Sequence, residues 1–351
     1  MLSAKPNYFV DKVSMQKQSD PLPYDAIIYE KEGIGVIGFV QDNFICDVVN
    51  EKGEEPTIRI PTAIAYFKEN NLNNWQKKLF GYKEGIDEAL YSEGMNKYVV
   101  YDHFSELSFL AMPLNGNTKV TRSRNNLELF LKEGHEDNTE SLTRFISEFK
   151  DIDFGLFGSR SILDSPATRI SDIDLVIYGS KNLQRIVSII EENDDLCQKI
   201  KLTTTPSSTI DRYIPYYMKK FNLTKSEARI ITIRKRRYIL EPNIKLSLNC
   251  ALSVDELERK IPIVIGSHKI HEIAVDALAL DTSLSSALPR IFEVEIEGKK
   301  IDVVTNTWSI KDFIRQGDRV KIVGALRESE DLTFISLEKP GDIIKPIANG
   351  G

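Results

Sequence analysis

One stretch constrains this chain more than any other. Phe154-Gly-Leu-Phe157 is a short apolar run ending in Gly158-Ser159; twelve residues follow, 160–171, and then comes Asp172-Ile-Asp174-Leu-Val-Ile177. Read as two strands joined by a polar loop, the stretch predicts a local chemistry. Glycine lets the backbone turn tightly and approach a ligand, and a serine hydroxyl with neighbouring N–H groups suits phosphate oxygens. Side chains two apart on a strand share a face, so Asp172 and Asp174 point the same way while Ile173, Leu175 and Ile177 face a core. Two carboxylates on one face repel unless a cation lies with them. Their hard oxygen donors suit magnesium, whose other ligands are usually water and phosphate. Alone, Asp-Ile-Asp fits a solvated strand face. Behind a strand that ends in Gly-Ser, the same two carboxylates would also suit a phosphate and metal site.

The flanks supply a sheet and helices. Leu142, Phe145, Ile146 and Phe149 fall at i, i+3, i+4 and i+7, which predicts a helix capped by Asn138 or Thr139. Ser180 is placed to cap a second helix burying Leu183, Ile186, Val187 and Ile190. Lys201–Thr205 and Ile244–Cys250 read as strands around a helical segment in which Thr224-Lys-Ser-Glu227 is a capping box. With 351 residues the chain has room for two or three domains. The expected fold class is α+β. A mixed central sheet with helices, residues 121–257, is flanked by an N-terminal β-rich domain, 21–120, and a small C-terminal β-barrel of OB-like type, 258–345. Residues 1–20 read as a flexible arm, 64–95 as mixed and partly helical, and Pro113–Arg124 as a linker. The barrel strands are expected at Ile261–Ile265, Ile291–Ile296, Lys300–Val304, Arg319–Val323 and Leu332–Leu337.

Gly-Ser, the twelve-residue gap and Asp-Ile-Asp together resemble the signature of the DNA-polymerase-beta-type nucleotidyltransferase superfamily. The text around them is also similar to a group of archaeal proteins known only as predicted nucleotidyltransferases. The resemblance covers 154–180 and, with the flanking helices, extends over 138–250. It implies transfer of a nucleoside monophosphate from an NTP to an acceptor, with release of pyrophosphate. It implies two magnesium ions, or manganese, on Asp172 and Asp174, and a triphosphate held by Gly158 and Ser159, with Arg160 as a helper. The acceptor would be RNA, a protein side chain or a small molecule. One departure stands out. The superfamily places a third carboxylate on a later strand, where Ile244-Lys-Leu-Ser-Leu-Asn-Cys250 offers Lys245, Ser247 and Asn249 instead. Ile301-Asp302-Val303 has the right local form but falls in the expected barrel. The alternative is therefore a catalytically degenerate nucleotide- or nucleic-acid-binding protein on the same fold.

Other features narrow the partners. The net charge of −6 excludes a uniformly basic nucleic-acid coat, yet residues 206–243 carry nine Lys and Arg against three acids. Within them Lys225, Arg229 and Arg236 share a helical face, with tyrosines interleaved, which suits a triphosphate or a nucleic-acid backbone. Gly33-Ile-Gly-Val-Ile-Gly38 fits a dinucleotide fingerprint in spelling alone, because β-branched and aromatic residues follow where a helix is required. His268 and His271 have no evident third ligand. Three scattered cysteines and the lack of an apolar leader or span predict a cytoplasmic protein with no membrane partner.

Overall fold

The computed structural model describes residues 6, 8–16, 20–31, 34–42, 44–50, 52, 56–68, 76–80, 89, 94–133, 136–158, 172–204, 211–235, 238–241, 244–253, 256, 262–307, 310–329, 332–339 and 341–347. The class is α+β: two closed five-strand barrels enclose a mixed sheet with helices.

The first barrel is the ring β4 (Phe44–Asn50), β1 (Tyr8–Met15), β7 (Val99–Asp102), β8 (Leu107–Pro113) and β5 (Thr57–Lys68), closed by pairing of β4 with β5. Period-two alternation sends Phe44, Cys46 and Val48 of β4 into its core with Phe109 and Ala111. β1 corrects the expectation of a loose arm. Its side chains are only half-buried, so the text reads as polar, but its backbone is paired antiparallel to β4 and parallel to β7. β5 continues out of the ring and joins a second layer with β6 (Gln76–Phe80), β3 (Ile34–Val40), β2 (Ala26–Lys31) and β9 (Thr118–Thr121). Two further expectations change here. Ile64 to Lys68 extend a strand where partial helix was expected, and Thr118–Thr121 pair with β2 where a linker was expected. Ile34–Gly38 lie on β3, paired with β2, as their β-branched surroundings imply, and Gly33 lies outside the described residues.

The central sheet runs β10 (Phe154–Phe157), β11 (Ile173–Tyr178), β14 (Ile244–Ala251), β13 (Tyr238–Leu240), β12 (Leu202–Thr204). β10 is antiparallel to β11, and β11 is parallel to β14. One face packs on α1 (Ser123–Glu133), α2 (Glu136–Glu148) and α3 (Ser180–Glu192), through Leu127, Leu142, Phe145, Leu183, Ile186 and Val187. α2 starts at Glu136, so Thr139 lies inside the helix instead of capping it. Ser180 is likewise the first helical residue of α3 and not its cap. The cap is Glu256, 8% exposed, which accepts the Ser180 N–H at 3.0 Å and the Ser253 N–H at 2.8 Å. A buried carboxylate at a helix N-terminus satisfies backbone donors that have no intrahelical partner and complements the dipole. Glu256→Ala removes charge-assisted bonds from buried N–H groups. It is expected to destabilise the protein by about 2–3 kcal/mol, read as a lowered urea midpoint at unchanged m-value.

The C-terminal barrel closes β15 (His268–Asp281), β16 (Arg290–Ile296), β17 (Lys299–Thr305), β19 (Leu332–Ser336) and β18 (Arg319–Ser329) into a ring, with β20 (Ile343–Pro346) added to β18. Counted within the barrel, the order is first, second, third, fifth, fourth, and only the third–fifth pairing is parallel. Its first strand is β15 and not Ile261–Ile265, whose described part is a turn. β15 opens His-Lys-Ile-His-Glu with exposed and half-exposed side chains, so its apolar pattern is weak. α4 (Asp194–Lys199) leads into β12, and the hairpin of α5 (Ile214–Phe221) and α6 (Lys225–Arg234) is inserted between β12 and β13. By sequence the hairpin belongs to the central unit, but it packs on the barrel. Ile214, Tyr217, Leu223, Ala228 and Ile231 share a core with Phe313 and Ile344. Arg234 forks onto Asp318 at 2.5 and 2.9 Å, and Lys345 reaches Glu227 at 2.9 Å. The predicted capping box is formed: the Thr224 N–H donates to Glu227 Oε2 at 2.8 Å, and the Glu227 N–H to Thr224 Oγ1 at 3.2 Å. Among the described residues no helix is long and apolar enough to cross a membrane.

Candidate nucleotide and metal site

The antiparallel register of β10 and β11 sets Phe157 opposite Asp174, so the next residue, Gly158, turns directly over that carboxylate. Its φ is +79°, and a Cβ built there would lie 2.8 Å from Asp174 Oδ2. The position therefore favours glycine by conformation, and a Cβ there would also force the Asp174 carboxylate to move. Gly158→Ala is expected to lower stability by about 1–3 kcal/mol through backbone strain and to push the Asp174 carboxylate aside. Thermal unfolding checks the first effect and a crystal structure of the variant the second.

Asp172 precedes β11 on the same face as Asp174. In the parallel pairing with β14, Asp174 is level with Ser247 and Ile173 with Leu246, which sets Lys245 beside Asp172. The Lys245 ammonium lies 3.6 Å from Asp172 Oδ1, with side chains 69% and 57% exposed. An exposed pair of this kind contributes about 0–1 kcal/mol, so a multivalent cation or an anionic ligand can break it. The Asn249 amide donates to Ser247 Oγ at 3.2 Å and to the Leu175 carbonyl at 3.3 Å, tying β14 to β11. Lys311, arriving from the barrel, donates to the Leu248 carbonyl and lies 3.5 Å from Asn249 Oδ1.

Behind the carboxylates this face is walled by the N-terminal layer and the barrel. Phe157 packs on Tyr24 and Phe39, with Val176, Tyr178, Ala251 and Leu288 completing the cluster. Tyr24 is fully buried, and the Arg290 charge acts on its phenol. Burial pushes that phenol well above its ordinary range. Arg290 pulls it back, while Cys250 and Asp174 add to the upward shift. Arg290, 1% exposed at the head of β16, donates to the carbonyls of Ser285 at 3.2 Å, Ala287 at 2.9 Å and Thr307 at 3.2 Å. Burial lowers its pKa from the ordinary guanidinium range, against the attraction of Tyr24 and Asp312. Neither residue was anticipated from the sequence. The available signal was slight, an arginine heading the apolar run Ile291-Phe292.

The expected site residues divide. Gly158 and Asp174 are brought together, Asp172 precedes the same strand beside Lys245, and Ser159 and Arg160 lie outside the described residues. Lys225 and Arg229 are exposed on α6, and Arg236 lies outside the described residues. Arg229 borders a groove of about 610 Å³ between α6 and β18, lined also by Ser226, Ile233, Asp318 and Arg319 but by neither aspartate of the pair. Asp302 sits on β17 level with Glu293, and burial, then Glu293 and Asp281, raise its pKa. Among the described residues no three His, Cys, Asp or Glu side chains converge as a metal-ligand set, so neither Asp302 nor the exposed His268 and His271 complete one. The pair itself suits a hard cation that keeps water and phosphate ligands. It offers two carboxylates on one face, one of them in close contact with the glycine at position 158. No family model, no curated protein and no solved structure matches the chain.

Proposed function

We propose that this chain is a magnesium-dependent nucleotidyltransferase of the DNA-polymerase-beta type, transferring a nucleoside monophosphate from an NTP and releasing pyrophosphate. The observation that carries the reading is the turn of Gly158 over Asp174, with Asp172 on the same face. The strand order supports it, a first strand antiparallel to the Asp-bearing strand and a later one parallel to it. Asp172 and Asp174 hold two magnesium ions, or manganese, which when bound neutralise the triphosphate and the developing charge. Gly158 lets the β- and γ-phosphates approach the backbone. Ser159 and Arg160 follow it in the chain as their further contacts. Catalysis by the protein is positioning and electrostatics, as is usual for phosphoryl chemistry. The barrel, read as OB-like from its strand order, and the groove at Arg229 favour an RNA-like acceptor.

The deciding experiment incubates the protein with each of four α-labelled NTPs, magnesium or manganese, and total RNA. Pyrophosphate release is compared with that of the Asp172→Ala/Asp174→Ala variant. Release that survives in the variant sinks the reading. One observation favours the degenerate binding protein instead: the Lys245 ammonium rests on Asp172. That reading predicts no release, but salt-dependent nucleotide or RNA binding weakened by Arg229→Ala.

A further inference from the structure

The residues level with the aspartate pair on the neighbouring strand are a cation and a hydroxyl, Lys245 and Ser247. We propose that the acceptor is a phosphomonoester, whose own phosphate oxygen is the nucleophile. The inference rests on the nucleotidyltransferase reading and specifies its second substrate.

A hydroxyl acceptor must lose its proton as it attacks, and a positioned base usually takes it. A lysine ammonium has three donors and no acceptor, so Lys245 cannot play that part while charged. It is suited to holding a phosphate as a point charge. Ser247 Oγ accepts from Asn249 and presents its own O–H as a donor towards an anion. A phosphomonoester has its second pKa near 6, so at neutral pH its terminal oxygens are already ionised. A lone pair on one of them attacks the α-phosphorus of the NTP and a new P–O–P bond forms. The bond from Pα to the bridging oxygen breaks, and its electron pair leaves with pyrophosphate. No proton is transferred. In the structure Lys245 rests on Asp172 through a weak, exposed pair, which an incoming phosphate can exchange for itself.

The test offers the full-length protein labelled NTP, magnesium and four probes. Ribose 5-phosphate and a 5′-phosphorylated, 3′-blocked RNA oligonucleotide supply the phosphate. Ribose and an unphosphorylated oligonucleotide with a free 3′-hydroxyl do not. The expected product appears with one or both phosphate probes, and its label resists phosphatase but is released by pyrophosphatase. Which probe reacts tells a sugar phosphate from an RNA end. Lys245→Ala is expected to raise KM for that probe about tenfold, the loss of one charge-assisted contact, with KM for NTP unchanged. Lys245→Arg restores it, and Lys245→Asp abolishes use of the phosphate probe. Calorimetry of the same probe, with magnesium and a non-hydrolysable NTP analogue, is expected to show the same tenfold loss in Lys245→Ala. Transfer only to hydroxyl probes overturns the inference and leaves the nucleotidyltransferase reading standing. Pyrophosphate release and label transfer absent with every probe overturn both. Probe affinity unchanged in Lys245→Ala removes the residue on which the inference stands.

Discussion

Asp172→Asn and Asp174→Asn are each expected to slow nucleotide transfer by about a thousandfold while leaving the fold intact. A thousandfold is about 4 kcal/mol of transition-state stabilisation, the scale of losing one carboxylate that neutralises charge on a transferring phosphoryl group. Asparagine keeps the shape of the side chain and removes only the charge, so any loss is electrostatic. The stability cost is expected within about 1 kcal/mol, because Asp172 is more than half exposed and its ion pair with Lys245 lies at the surface. Asp174 is half-buried at the mouth of the wall formed by Phe157 and Tyr24. Pyrophosphate release and urea denaturation measured on the same preparations separate the two effects. Variants that keep more than a tenth of the activity would show that the carboxylates do not carry the reaction.

The parts of the site that were legible in the sequence are those fixed by short-range geometry. Asp172 and Asp174 share a face by strand parity alone. Gly158 meets Asp174 because β10 and β11 are antiparallel neighbours in register; the apolar runs marked the two strands, and the pairing came from the structure. Lys245 and Ser247 were legible by the same parity once β14 was placed beside β11. What stayed hidden depends on contacts between distant segments. The half-buried text of β1 does not announce that its backbone closes a barrel. The capping box at Thr224 fixed where α6 starts but could not say that the helix leaves the central sheet to pack on Phe313 and Ile344. Ser180 was a plausible cap by residue type, yet Glu256, 76 residues on, does the capping. Buried carboxylates of this kind are set by tertiary structure and have no local pattern.

Arg290→Met is the substitution expected to cost most stability, about 3–5 kcal/mol. The guanidinium is 1% exposed and donates to three backbone carbonyls. Methionine fills much of the volume but satisfies none of these acceptors, and each buried acceptor left unpaired costs about 1–3 kcal/mol. Part of that loss is offset because the buried charge itself, opposed by desolvation, is removed with the side chain. Tyr24→Phe leaves the three carbonyl contacts intact and removes only a buried phenol oxygen near the same group, at an expected cost of about 1 kcal/mol or less, so the two variants should rank clearly. Arg290→Lys keeps the charge without the fork and should fall between them. Urea midpoints of the three variants supply the check. A ranking with Tyr24→Phe as damaging as Arg290→Met would place the weight on the phenol instead. The consequence for the site follows from connectivity. Arg290 belongs to the barrel, Tyr24 to the N-terminal layer and Phe157 to the strand that delivers Gly158, and Tyr24 packs on Phe157. Loss of the guanidinium loosens the wall against which Gly158 and Asp174 are held, so activity should fall in Arg290→Met even at temperatures where the variant remains folded. The N-terminal layer thus lies between the buried cation of the barrel and the strand that delivers Gly158, which is why a loss at Arg290 is expected to reach the site through Tyr24 and Phe157.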